Sequence, residues 1–485
     1  MEAFSDLKTP AFVFDIQAVR RQLRDLATDS PVQTAADRRV REFYQHTSQL
    51  LWIDKCGVDQ RADTLLSWLH RVGDMGLSER SFCVADIEHD LQRLRTLQLS
   101  AADNASRLAA RLEYRLTRAC MRYAYGQRYG FVNPFRLFNH LDIEKQDTVR
   151  QIVRYRELFA YDMELPAANY DSLVCSHIAT GDLSGFLQST EPADRFYHQL
   201  KGMLAEATDE DSRRRIICNM ERCRWRLKQP LPEEGKHIVV NIPAFHLYAF
   251  GPDSLLDMRV VCGANSTKTP LLVSAIEWME VNPQWIIPKS ILEKDIIRHI
   301  GDSAYFARNR YDIYERSTNK PVAVSRFTRQ MLLSGNYRVA QQSGSDNSLG
   351  RIVFRFRNKF QVFLHYTSNP GAFQRTSRAM SHGCVRVARP FELAQYVLDN
   401  PDEWLLDRIR ISMDLKPQTD RGKQYLRQHE DKKEHKLIGY VPVKPMVPLY
   451  IIYFTLWPDE QGMLQKWPDV YGYDSALLEA LTPFL

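Results

Sequence analysis

A chain of 485 residues with 65 basic and 59 acidic side chains is too long for one ordinary core and predicts two or three domains. Its apolar (44%) and charged (26%) fractions are those of a globular protein and exclude a disordered one. The net charge of +6 suits an anionic substrate or surface but falls short of a nucleic-acid footprint, so no nucleic-acid partner is expected.

From Met1 to Asp6 there is neither the basic start nor the apolar core of a secretory signal. Residues 1–34 read as an N-terminal extension, with a helical segment opening at Phe14-Asp15 and running to Leu26. Residues 35–230 read as an all-helical domain. Asp59 to Leu69 carries Leu65, Leu66 and Leu69 on one side, and Ala101 to Tyr125 places Leu108, Leu112 and Leu116 on one face. Other faces of that segment hold Arg107, Arg111, Arg115, Arg118 and Arg122. These read as a solvated helix face, with an anion-binding stripe as the alternative. Asn133-Pro134 breaks the pattern, and helical stretches follow at Ile143 to Tyr161, Ala167 to Ala179, Pro192 to Ala207 and Asp209 to Leu227.

A linker rich in proline, Gln229 to Gly235, ends this half, and the hydrophobic period changes from helix to strand. Residues 236–485 read as a mostly-β domain. Strands are expected at His237 to Ile242, Phe245 to Phe250, Met258 to Cys262, Lys268 to Val273 and Ile276 to Val281, then a helix at Ser290 to Ile300. Residues 301–336 are a mixed excursion. Gln341 to Gly350 is a loop rich in turn formers, and strands Ile352 to Phe356 and Phe360 to Leu364 deliver His365. A short helix at Pro390 to Leu398, a charged loop at 415–436, a strong β segment at Val447 to Trp457 and a helix from Tyr471 complete the chain. The longest apolar run, Met446 to Trp457, is interrupted by Pro448 and too short to cross a bilayer, so no transmembrane segment is expected.

The stretch Ser381-His382-Gly383-Cys384-Val385-Arg386-Val387 carries the chemistry. A lone cysteine is usually a small buried apolar residue, and a lone histidine is usually structural. Here Gly383 permits an unusual backbone just before the thiol, and His365 lies nineteen residues upstream as the candidate base. The N–H of Cys384 and those of its neighbours can serve a developing oxyanion. None of the eight cysteines forms a C-x-x-C pair and no zinc-like spacing exists, so no metal or other cofactor is expected.

The stretch from Gln341 to Val387 resembles the L,D-transpeptidase catalytic domain of the YkuD type, whose hallmark is a histidine followed by S-x-G-C-x-R. Arg111 to Tyr114, Arg122 to Gly126 and Asn219 to Trp225 resemble the helical scaffold domain of the large members. The implied fold class is α+β multidomain, an all-α scaffold domain followed by a mostly-β catalytic domain, with 301–336 as a candidate substrate-capping subdomain. The resemblance implies that Cys384 attacks a stem-peptide carbonyl, with His365 as base, through a thioester that an amine resolves as a 3-3 cross-link. It implies covalent inhibition by carbapenems, other cell-wall enzymes as partners, and a periplasmic or wall-facing location, the chain starting after a removed signal. Ser381, His382, Gly383 and Arg386 are expected to position the nucleophile or its oxyanion, Ser381 by supporting the turn and His382 by packing beside Cys384. Arg386 either pairs with a substrate carboxylate or pins the turn. Tyr366, Gln341 and Asn347 are expected to meet substrate. Gln341 to Gly350 follows the family's Q-x-P-G-x-x-N-x-L-G with Ser343 in place of proline, and Tyr366 stands where relatives often carry Gly or Asp. No acidic third member is evident, and in the family a backbone carbonyl commonly orients the histidine. An L,D-carboxypeptidase with the same site and a catalytically weak wall-binding or assembly protein are the alternatives. No peptidoglycan-binding insert is recognisable.

Overall fold

A computed structural model of the chain describes residues 14–485 apart from 48, 55–56, 148–151, 233, 253–254, 433 and 460. The chain forms two compact units whose boundaries interleave. Of the described residues, one holds 14–157, 162–230 and 472–485; the other holds 158–161 and 231–471. The expected domain limits are therefore corrected at three places. The described part of the extension, 14–34, belongs to the helical unit, since Ile16–Asp29 buries Val19, Leu23 and Ala27, and the Asp15 N–H donates to Ser106 Oγ at 2.9 Å. Residues 472–485 also belong to that unit: Arg222 holds Asp474 at 2.5 Å, and Leu477, Leu481 and Phe484 are buried. Residues 158–161 join the β unit.

The helical unit is built around Ala105–Tyr129, whose N-terminus is capped by Asn104 and whose Leu108, Leu112 and Leu116 are fully buried. Of its five expected surface arginines Arg107 is exposed, but the other four are paired with buried acids. Arg111 and Arg115 pair with buried Asp90 at 2.7 and 2.6 Å, and Arg118 and Arg122 with buried Asp37 at 2.9 and 2.7 Å. The stretch expected as a helix at 143–161 is instead a hairpin, Ile143–Asp147 against Ile152–Tyr155, followed by a two-residue strand. Its β-branched residues Ile143, Ile152 and Val153 suit a strand, although they show no clear period of two.

In the second unit the strands are β1 (Phe159–Ala160), β2 (His237–Asn241), β3 (His246–Phe250), β4 (Leu255–Gly263), β5 (Leu271–Val281), β6 (Ile352–Phe356), β7 (Leu364–His365), β8 (Ala379–Ser381), β9 (Val385–Val387) and β10 (Tyr440–Ile452). They pair in the order β6-β7-β9-β4-β3-β2-β10-β5, and β5 pairs again with β6, which closes the sheet on itself. Closure leaves these strands no open edge over that path. β1 lies parallel to the start of β5, with Phe159 against Leu271, and β8 lies beside the end of β4. The helix Pro390–Val397 follows β9, and the charged segment expected as a loop contains the helix Asp420–Gln428, capped by Thr419.

The excursion is larger than 301–336. Trp285–Ile286, Tyr311–Glu315, Pro321–Val322 and Tyr337–Gln341 form their own four-stranded sheet. It has its own core of Ile287, Leu292, Ile296, Phe306, Ile313, Phe327, Leu332 and Val339. No helix among the described residues is long and apolar enough to cross a membrane.

Candidate active site

His365 and Cys384 are carried to adjacent strands because β7 and β9 run parallel, with Leu364 opposite Val385 and His365 opposite Arg386. Val385 N–H donates to Phe363 O at 3.0 Å and holds that register. Paired positions share a face of the sheet and residues two apart share it too. His365, Arg386 and Cys384 therefore lie on one face, with Cys384 on the diagonal from His365.

Burial and charge set their protonation. His365 is buried, and its pKa is pushed down to about 4, first by loss of solvation and then by the Arg386 cation. Its Nδ1 has no hydrogen-bond partner among the described residues. Cys384 is half-buried, and desolvation pushes its thiol up, while the Phe363 backbone and the Arg355 and Arg386 cations favour the thiolate. At rest the cysteine is thus a thiol and the histidine a neutral imidazole, able to accept a proton across the neutral range. Arg386 is itself lowered by desolvation, and its Nε is buried without a partner among the described residues. Arg355 is anchored on Glu280 at 2.9 Å and over the Phe363 ring at 4.0 Å.

The turn before the nucleophile is held from below. Gly383 has φ +114°, a backbone that side chains disfavour. Ser381 Oγ donates to Cys384 O at 2.6 Å and accepts from Gly383 N–H at 3.1 Å. Ser381 O accepts from Ala264 N–H at 2.9 Å and Thr267 Oγ1 at 2.8 Å. Thr269 Oγ1 donates to Gly383 O at 2.9 Å. Thr269 lies in the expected strand Lys268 to Val273 and belongs to no motif. A hydroxyl beside Pro270 in an otherwise apolar run was the signal available.

Four further expected site residues are placed as follows. Gln341 is buried and committed: its amide donates to Asn309 O and Asp346 O, and its oxygen accepts from Ser348 N–H at 2.8 Å. Asn347 is likewise buried and bonds Pro283 O, Gln342 O and Leu349 N–H. Both side chains bond the backbone of the loop. The loop presses Gly350 (φ +67°) against the backbone after His365, where a Cβ would come within 2.6 Å of Tyr366 Cβ. Tyr366 is half-buried and stacks on Phe373, in a small cluster with Val261 and Ala372. His382, expected to pack beside the nucleophile, is exposed.

Residues 38–204 match the Scaffold domain family, and residues 235–411 match the YkuD family, described as the L,D-transpeptidase catalytic domain. The latter stretch contains His365 and Cys384. This chain carries a YkuD catalytic domain behind a Scaffold domain. The YkuD match ends before β10, although β10 completes the closed sheet by pairing with β2 and β5. A Haemophilus influenzae protein provisionally named an L,D-transpeptidase is 27% identical over 320 residues. That match covers 65% of this chain and 60% of the relative, so the chain spans less than two thirds of the relative's length.

Proposed function

We propose that the protein is a peptidoglycan L,D-transpeptidase working through a Cys384 thioester. The observation that carries this reading is the placement of Cys384, His365 and Arg386 on one face of the YkuD sheet by the β7–β9 register. As Cys384 Sγ attacks the stem-peptide carbonyl ahead of a terminal D-amino acid, His365 takes the thiol proton. It returns that proton to the departing amine, which leaves as the free D-amino acid. The amine of a second stem peptide then attacks the thioester, forms the 3-3 cross-link and regenerates the thiol. Arg386, with an unpaired Nε, supplies a cation for a donor carboxylate. Such a substrate places the working enzyme outside the cytoplasm, facing the wall.

Incubation with a carbapenem, followed by intact mass, tests the nucleophile. The expected result is one adduct on the parent and none on Cys384→Ser; an equal adduct on both removes Cys384 from the role. Muropeptide products separate the acceptor. Dimers lacking the tetrapeptide's last residue support transfer, whereas tripeptide monomers alone mark a carboxypeptidase.

A further inference from the structure

We propose that Thr269 and Tyr471 are positioning residues that aim the Cys384 N–H at the oxyanion formed during acyl transfer, an inference that rests on the acyl-transfer reading above. The argument begins with one peptide plane. In a trans peptide the C=O and the following N–H point in opposite directions. Thr269 Oγ1 holds the Gly383 carbonyl at 2.9 Å, so the Cys384 N–H of the same plane is turned the other way, away from the buried Thr269. The other polar groups of the turn are committed. Gly383 N–H goes to Ser381 Oγ, Ser381 Oγ–H to Cys384 O, and Val385 N–H to Phe363 O. The Cys384 N–H donates to no acceptor among the described residues.

A hydroxyl has one proton to give, and the direction in which Thr269 gives it is fixed by its surroundings. Gly263 N–H donates to Thr269 Oγ1 at 2.8 Å, which leaves the hydroxyl proton for Gly383 O. Tyr471 locks both neighbours: its hydroxyl donates to Gly263 O at 2.7 Å and accepts from Thr269 N–H at 3.1 Å. Tyr471 is in turn held by its own N–H on Tyr453 Oη at 2.8 Å, and Tyr453 donates to Asp469 at 2.6 Å. Thr269 is fully buried and Tyr471 nearly so, so water cannot substitute for either hydroxyl. Oxyanion donors act by being preorganised, so loosening this plane costs rate without touching the thiol.

The test compares two reactions of the same sulfur in the 485-residue chain. Acylation by a carbapenem passes through an oxyanion; alkylation by iodoacetamide does not. In Thr269→Val the acylation rate constant is expected to fall about ten-fold or more while alkylation keeps the parent's rate. Thr269→Ser, which restores the hydroxyl, is expected to return acylation to within about two-fold of the parent, and Tyr471→Phe to lower it about three-fold or more. Thr269→Val and Tyr471→Phe both acylating at the parent's rate overturns the proposal. So does a parallel fall of acylation and alkylation in both variants, which marks general damage to the turn. A parent that is alkylated but never acylated overturns the acyl-transfer reading and this proposal together.

Discussion

Cys384 and His365 hold their protons in an order opposite to that of a preformed ion pair. Desolvation raises the thiol and lowers the imidazole to about 4, so the proton rests on sulfur until substrate arrives. Two outcomes are expected. Carbapenem acylation of the parent should stay constant as pH falls from neutrality and decline only as pH approaches the imidazole's value near 4. His365→Ala should acylate about 100-fold or more slowly at neutral pH and recover at high pH, where the thiolate forms unaided. Stopped-time intact-mass measurements across pH check both, and a variant that acylates normally at neutral pH sinks the assignment. The motif made this pair legible, because a glycine, a cysteine and alternating Val-Arg-Val leave few structural readings. Gln341 and Asn347 were not legible: an amide in a turn-rich loop reads the same whether it faces ligand or bonds its own backbone.

Among the elements, the helix Ala105–Tyr129 is readable from sequence in its leucine face but not in its arginine pairings, which depend on distant partners. Its arginines looked solvated because Asp37 lies 85 positions before Arg122 and Asp90 lies 21 before Arg111. Only folding brings them together. Asp37→Asn leaves Arg122 buried without its counter-charge and should cost about 3–5 kcal/mol, measured by denaturant unfolding followed in the helical dichroism band. Arg122 and Arg118 hold the Asp37 carboxyl down at about 2 against an ordinary 3.8, although burial opposes them. The stabilisation is therefore complete above the unfolded value of 3.8 and is lost as pH falls toward 2. The gap between parent and Asp37→Asn should close over that acid range. The excursion offers a similar test: Phe306→Ala opens a core that belongs to Trp285–Gln341 alone. Local hydrogen exchange there should accelerate while iodoacetamide alkylation of Cys384 is unchanged.

For the whole molecule, the change from helical to strand periodicity near Gly235 foretold an α unit followed by a β unit. It could not foretell that the chain passes between them four times, at 157–158, 161–162, 230–231 and 471–472. A two-residue strand such as Phe159–Ala160 has no periodicity to detect, and a short terminal helix carries no mark of which core receives it. Leu477→Ala should destabilise the helical unit by about 2–5 kcal/mol, although the residue follows the entire β unit in sequence. Unfolding read by helical dichroism should shift, and the rate of Cys384 alkylation under native conditions should not.

That interleaving has a consequence for how the protein is made. Residues 1–230 leave the ribosome first, yet the places for Leu477, Leu481 and Phe484 cannot be filled until residues 231–471 have also been synthesised. At roughly 5–20 residues per second, that interval lasts roughly ten to fifty seconds. Throughout it the nascent helical unit carries uncovered apolar surface. The part of the chain translated first is the last to be completed, and chaperone demand should be concentrated in that window.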